Sequence, residues 1–336
     1  MKEKEFYIGF DLHKRVTTYS VRHLNGDIVA EGECATRYED LKSRLEPYLR
    51  SCLIGVEAST SYYSIYKKFK QSGLEIIVAN VIQIRQLIAK NDILDARRLS
   101  DMLRLGSFPK SYIPNDDIQR LRNMVHLRHS FVKQSTRLKN QIQALMDKNN
   151  IQIPCKIPFT KKWCNWLEKA IISRQYTDEL EHLYDWYKFI STKIDKLTIE
   201  TTLYCEKTFK QEFYLLQTII GVGPTLAACL IAEICPISRF KTKKNLRRYA
   251  GIVPCNKISA GKSLSSHIPK LSCRKLLKWA LIEATNAGLR SKSKLKEYYK
   301  KKKKQKGTQK AIVATASSLC DIVYHTLKNK KEYQAS

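Results

Sequence analysis

No run of about 18 or more apolar residues occurs in the chain, so no membrane-spanning helix is expected. The opening MKEKEFYIGF leads straight into a strand pattern, with no apolar signal segment ahead of it. The ten cysteines, at 34, 52, 155, 164, 205, 229, 235, 255, 273 and 320, form no C-x-x-C pair. A structural zinc site is therefore not expected. Several of these cysteines fall in apolar helical patterns and read as buried free thiols, which predicts a reduced, cytoplasmic protein. An aromatic pair of the kind that stacks single-stranded RNA is also absent. Carboxylates are scarce: 31 Asp and Glu stand against 61 Lys and Arg, for a formal net charge of +30.

That imbalance speaks of partners more than of fold. Clustered Lys and Arg neutralise phosphates and release counterions, so nucleic acid is the leading partner and an anionic membrane surface the weaker competitor. With 336 residues and 43% apolar content, the chain is long enough for two or three domains with real cores.

The first hundred residues alternate strand and helix patterns. EFYIGFDL reads as a strand, and TTYSVRHL and DIVAEGEC flank an Asn25-Gly26 hairpin turn. TRYEDLKSRLEPYL has helical spacing, with Thr36 or Asp40 near its start. CLIGVEAS is a short buried strand, SYYSIYKKFKQSG a helix closed by Gly73, and LEIIVAN a further strand. Three antiparallel strands followed by helix, strand, helix, strand fit a ribonuclease H-like α/β domain.

After Pro114 the pattern turns helical. DDIQRLRNMVHLRHSFVKQSTRLKNQIQALMDKNN, with no Gly or Pro inside, predicts one long helix with a basic face. A break follows at IQIPCKIPF, and residues 176–210 form a second long helical stretch. The pair suggests an antiparallel coiled-coil arm, with an ordinary helical domain as the alternative. On the basic face Arg120, Arg122, Arg128, Arg137 and Lys139 are candidates for contact with DNA or RNA. LLQTIIGVGPTLAACLIAEI then reads as helix-hairpin-helix, where Gly221 and Gly223 let a turn approach a phosphate and free helix amides bind it. The lysines at 300 to 304 lie before a final helix, and in so basic a chain they suit phosphate contact at least as well as mere solvation.

Within this positive chain four carboxylates recur in an ordered way. Asp11 ends the first strand, Glu57 ends CLIGVEAS, and KNDILDARRLSDML supplies Asp92 and Asp95 three residues apart on one helix face. Four such groups can hold two divalent ions about 4 Å apart, the geometry of phosphodiester cleavage. Magnesium prefers oxygen ligands and needs no His or Cys. Each acid alone is more often a cap or a surface charge; in this order and spacing the metal site is the stronger reading. Asp101 reads as exposed. His13 is a candidate for phosphate contact, with a structural role equally open.

These segments together resemble the transposases of the IS110 family, bridge-RNA-guided recombinases with a DEDD catalytic domain. The anchors are YIGFDLHK, GVEAS, NDILDARRLSDML and RLRNMVHLRHSFVKQSTRLKNQIQALM, then IIGVGPTLAACLIAEICPISRFKTKKNLRRYAGIVPCNKISAGKS and LKEYYKKKKKQKGTQKAIVATASSL. The resemblance covers nearly the whole chain. It implies a RuvC-like nuclease domain over 1–113 with Asp11, Glu57, Asp92 and Asp95 as its acids, a helical coiled-coil arm over 114–210, and a C-terminal helical transposase domain over 211–336. In that last domain it implies a serine nucleophile, which PCNKISAGKS places at Ser259; by sequence alone Ser259 would be a turn residue. Lys257, Lys262, Lys270 and Arg274 around that serine become candidate nucleic-acid contacts.

The family mechanism implies a covalent phosphoserine link to a DNA end, with two magnesium ions, a guide RNA, donor and target DNA, and a dimer assembling to a tetramer. The sequence departs from the family pattern at Ala260, which splits Ser-Gly, at Ser272 and Cys273, where Gly and Asn are usual, and near Leu277, where Arg is usual. Two rival readings remain. A RuvC-like metal-dependent junction nuclease would use the acids and water without Ser259 or a guide. A decayed transposase would bind nucleic acid and be indifferent to magnesium.

Overall fold

A computed structural model describes residues 4–58, 61–80, 84, 91–172, 178–253, 255–259, 262–267 and 274–334, with backbone alone for 172, 255–259 and 262–267. The chain divides into two compact units, residues 1–113 and 114–336.

The first unit is built on a five-stranded sheet. Strands β1 (Phe6–Leu12), β2 (Val16–His23) and β3 (Ile28–Ala35) form an antiparallel meander, and β4 (Cys52–Glu57) and β5 (Ile76–Ala79) add in parallel on the other side of β1. The order is β3-β2-β1-β4-β5, the arrangement of a ribonuclease H-like domain. The β2–β3 turn uses Asn25-Gly26 as expected, with Gly26 at φ +106°. Helices α1 (Tyr38–Leu45) and α2 (Tyr62–Gln71) follow β3 and β4. Thr36 does not cap α1; Arg37 holds that position without a side-chain bond, and the Thr36 hydroxyl donates to the His13 carbonyl instead, 2.9 Å.

Side-chain alternation divides this sheet cleanly. Ile8, Phe10 and Leu12 of β1, with Ile54 and Val56 of β4, pack with Leu41, Leu45, Ile65 and Phe69 of α1 and α2. Tyr7 and Leu53 face the other way, toward Leu99 and Leu103 of α3 (Asp92–Arg104). Gly9, Asp11, Gly55 and Glu57 share the parity of Tyr7 and Leu53, and so belong to the α3 face.

Among the described residues the second unit is helical apart from one hairpin. Its long helices α4 (Asp116–Lys148) and α6 (Asp178–Thr208) run antiparallel: Arg128 donates to Thr198, 2.7 Å, and Tyr204 to Asp117, 3.0 Å. A helix the sequence reading does not include, α5 (Lys161–Ile172), places Trp163 and Leu167 among Leu138, Ile142, Met146, Leu180 and Tyr184. Near residue 116 the same long helices enter a second core. There Ile118, Leu121, Val125 and Cys205 meet α7 (Lys210–Gln217), α8 (Pro224–Ile234), α9 (Lys243–Ala250), α10 (Lys275–Gly288) and α12 (Thr308–Asn329). One core thus continues across residue 210. Helix α11 (Lys294–Lys306) carries the lysine run and turns only Leu295 inward. Among the described residues no helix is long and apolar enough to cross a membrane. Eight cysteines are described with their side chains, all free thiols. Burial pushes those of Cys205, Cys229, Cys235 and Cys320 up to about 12.

Candidate active site

The parallel β1–β4 register pairs Phe10 with Val56. Asp11 and Glu57 are the next residues along, so two neighbouring strands each deliver a carboxylate to the same edge and the same face. Two residues earlier, Gly9 pairs with Gly55. A Cβ at Gly9 would stand 2.3 Å from the Ala96 carbonyl, and one at Gly55 2.7 Å from the Phe108 ring. The paired glycines therefore let α3 lie directly on the sheet, one pleat short of the acids.

Helix α3 begins at the site because Asn91 caps it, its Oδ1 accepting from the amides of Ile93, 3.1 Å, and Leu94, 3.2 Å. Asp92 and Asp95 occupy the first turn, where the helix dipole favours negative charge. Arg97, one turn on, ties α3 to β3 through two bonds to Glu31, each 2.7 Å.

His13 joins strand to helix. Its Nε2 lies 3.4 Å from Asp11 Oδ2 and 3.2 Å from Asp92 Oδ2. One ligand atom from each of these three side chains falls within 4.8 Å of the others. Asp11 is 9% exposed and Asp95 8%, while Asp92 and His13 stand at the open rim. Burial pushes the Asp11 carboxyl above its ordinary value; His13 opposes the shift and the Asp92 charge adds to it. A buried carboxylate pressed against a second one, with an exposed lip, fits a hard divalent cation, which would relieve both the burial and the repulsion. Asp101 is not the freely exposed residue expected: Arg104, at 2.9 Å, and Arg22, at 3.7 Å, engage it.

The other predicted residues lie in the second unit. Ser259 ends β6 (Cys255–Ser259) and pairs with Lys262, the first residue of β7 (Lys262–His267). It therefore stands at the last rung of a hairpin, with Lys257 on the same strand. Lys270, Ser272, Cys273 and Ala260 lie outside the described residues. Gly221, at φ +91°, is pressed on α10: a Cβ would stand 2.2 Å from the Ala284 carbonyl. Gly223 caps α8 with open space before it. Leu277, where the family usually has Arg, is fully buried in α10.

Among the five candidate basic residues of α4, Arg120 and Arg137 are exposed. Arg128 is half-buried on Thr198, and Lys139 lies over the Phe159 and Tyr187 rings. Arg122 departs from expectation: it is 8% exposed, and its Nε donates to the Ala232 carbonyl at 2.7 Å. Its neighbours Glu233 and His126, 2.8 Å apart, escaped the sequence reading. The signal was present, since Glu233 is the one charged residue of the apolar helix PTLAACLIAEI. A lone carboxylate in such a helix needs a buried partner.

Two family models match this chain. A DEDD transposase model of the IS110 type covers residues 8–151, and the model for the transposase IS116/IS110/IS902 family covers 214–300. The four acids fall in the first and Ser259 in the second. Among curated proteins, the putative transposase y4qE of Sinorhizobium fredii (strain NBRC 101917 / NGR234) is 23% identical over 259 residues, 75% of this chain and 64% of the relative. The transposase for insertion sequence element IS1328 of Yersinia enterocolitica is 20% identical over 221 residues, 65% of this chain and 66% of the relative. The chain thus spans slightly less than two thirds of the length of these relatives.

Proposed function

The chain belongs to the IS110 family of transposases, and on that premise we propose that it cuts and rejoins DNA through Ser259, with divalent ions held by Asp11, Glu57, Asp92 and Asp95. The observation that carries this reading is the meeting of Asp11 and Asp92 at His13; Glu57, at the end of β4, and Asp95, in the first turn of α3, are the further ligands this reading assigns.

The donor set, all oxygen apart from His13, suits magnesium, and four carboxylates suit two ions. When bound, such ions supply Lewis-acid stabilisation of phosphate charge. The serine hydroxyl is a weak nucleophile and must lose its proton to a base as it attacks. Its Oγ forms a bond to the scissile phosphorus while the bond to the leaving DNA oxygen breaks, leaving a phosphoserine-linked strand end. A hydroxyl of the partner strand later displaces the serine, so the number of phosphodiester bonds is conserved. A guide RNA selects donor and target by base pairing, and the protein reads backbone and shape. The net charge of +30 and the exposed Arg120, Arg137 and α11 lysines support nucleic-acid binding. Lys257, Lys262, Lys270 and Arg274 serve the DNA near the hairpin, Gly223 a phosphate at the α8 start. The α4–α6 pair acts as a coiled-coil arm that joins copies into dimers and tetramers.

The test is a covalent adduct. Protein expressed with its native flanking DNA is purified with its RNA, incubated with labelled donor DNA and magnesium, and denatured. An adduct is expected for the wild type, and none with chelator, with Asp11→Asn or with Ser259→Ala. A discrete copurifying RNA should remain bound to Ser259→Ala. An adduct that survives Ser259→Ala would sink the serine assignment.

A further inference from the structure

The most charged interior of the second unit surrounds Glu233. Its side chain is 1% exposed. Oε1 receives His126 Nε2 at 2.8 Å; Oε2 has no hydrogen-bond partner among the described residues and lies 3.7 Å from Arg274 Nε. Arg122 bonds the Ala232 carbonyl, and Arg239 Nε bonds that of Ile234 at 3.1 Å. Two guanidinium groups, Arg274 and Arg122, thus act on one carboxylate that also holds His126, a surplus of positive charge, while Arg239 caps the end of the same helix. Burial pushes the Glu233 carboxyl up, but the His126 bond and the Arg274 and Arg122 charges together hold it below its ordinary value. An internal ion pair needs no such surplus, and its members would be covered. Here the Arg274 side chain is 47% exposed and that of His126 52%. The carboxylate is sealed, and two of the groups it holds open to solvent.

The position of this cluster in the chain gives it meaning. Arg274 Nε donates to the Tyr249 hydroxyl at 2.8 Å, and the Arg274 amide to the Tyr249 carbonyl at 3.3 Å. Tyr249 precedes β6 by six residues and Arg274 follows β7 by seven. These two bonds therefore close the base of the loop that carries the Ser259 hairpin. Seven residues reach at most about 25 Å, so the hairpin cannot end farther than that from Arg274.

We propose that the base of this loop is a phosphate site for the DNA strand that Ser259 attacks, with Arg274 and His126 touching one backbone phosphate and Glu233 as the positioning residue that holds both. The proposal rests on the serine reading above and adds a place where the strand is gripped. A guanidinium fork matches the phosphate oxygens, and a carboxylate behind it fixes its orientation.

Binding of a fluorescent DNA duplex by the full-length protein, over about 50 to 200 mM salt, tests it. Each phosphate contact contributes about −0.9 to the slope of log K against log salt. Arg274→Ala should flatten the slope by about that amount and weaken binding about tenfold; His126→Ala should weaken it less. Glu233→Gln is the discriminating variant. It makes the protein more positive, so simple attraction predicts tighter binding, whereas a positioning role predicts weaker binding by the folded protein, at a melting temperature lowered by the loss of a buried charge. If Glu233→Gln does not fold, Arg274→Lys replaces it: charge without the fork should keep the slope and still lose affinity. A wild-type slope in Arg274→Ala overturns the proposal, as does a loss confined to an RNA duplex. A DNA slope lost as expected, beside an adduct that survives Ser259→Ala, would leave the grip standing and remove the serine reading.

Discussion

The Ala96 carbonyl of α3 lies over Gly9 of β1 with no room for a methyl group between them. That approach brings the helix carrying Asp92 and Asp95 onto the strand carrying Asp11. Replacing Gly9 by Ala inserts a carbon where a backbone oxygen would stand 2.3 Å away. The helix must lift, since the obstacle is backbone and cannot rotate aside. Overpacking of this kind costs about 1–3 kcal/mol. Gly9→Ala is expected to lower the urea midpoint and to weaken divalent-ion binding at least several-fold, although residue 9 bears no ligand. Calorimetric titration with Mn2+ or Mg2+ checks the second effect, and wild-type affinity in a folded Gly9→Ala would count against the role given to the close approach.

Asp11 should oppose folding at neutral pH. Its carboxyl is raised in the folded state, chiefly by burial, so the native protein holds that proton more tightly than the unfolded chain. Its contribution is most favourable below the ordinary aspartate value of about 3.9, and stability is lost as pH rises from there through the raised folded value. Asp11→Asn, without metal, is therefore expected to melt higher than wild type at pH 7, with the gap closing toward pH 4. Added Mg2+ should raise the melting temperature of wild type but not of Asp11→Asn. Thermal melts across pH, with and without magnesium, decide both points.

Arg122 and Arg137 lie on the same helix and should behave oppositely. Arg122 is buried against Ala232 and faces Glu233. Arg122→Ala leaves the buried Ala232 carbonyl without its charged donor, a change that costs about 1–3 kcal/mol. Arg137 is exposed, and Arg137→Ala should leave the melting temperature within about a degree while flattening the salt dependence of nucleic-acid binding. Melting curves and binding slopes on the two variants separate the roles; equal stability losses would remove the distinction.

Asp11 and Glu57 were legible as carboxylates that end neighbouring buried strands; the structure adds that GFD and GVE each set a glycine two residues before the acid, on the same face. The Asp-x-x-Asp helix was legible from spacing. Arg122 falls within the stripe Ile118, Leu121, Val125, so its position marks it as buried where its charge alone suggests a basic surface. Helix α5 escaped because it follows a Pro-containing break, yet Trp163, Leu167 and Ala170 recur at helical spacing. Nothing local marks Ser259 as more than the end of a strand, since a nucleophile is defined by what surrounds it in space. Its role rests on the family resemblance.

Gly221 and Gly223 give the last prediction, since one sequence pattern assigned both the same task. Gly221 combines φ +91° with a Cβ position 2.2 Å from the Ala284 carbonyl and 2.6 Å from the Gly288 amide. Gly221→Ala is thus strained twice, in its own backbone and against α10, and neither obstacle is a side chain that can move. A loss of at least about 3 kcal/mol is expected, enough to loosen the core that α8 shares with α10. Gly223 has extended backbone and no atom within 4 Å of a Cβ. Gly223→Ala should change stability by no more than about 1 kcal/mol, so any loss of DNA affinity there reports the turn itself. Denaturation midpoints beside binding isotherms test the pair, and a stable Gly221→Ala with weakened binding would return that glycine to the phosphate-contact role.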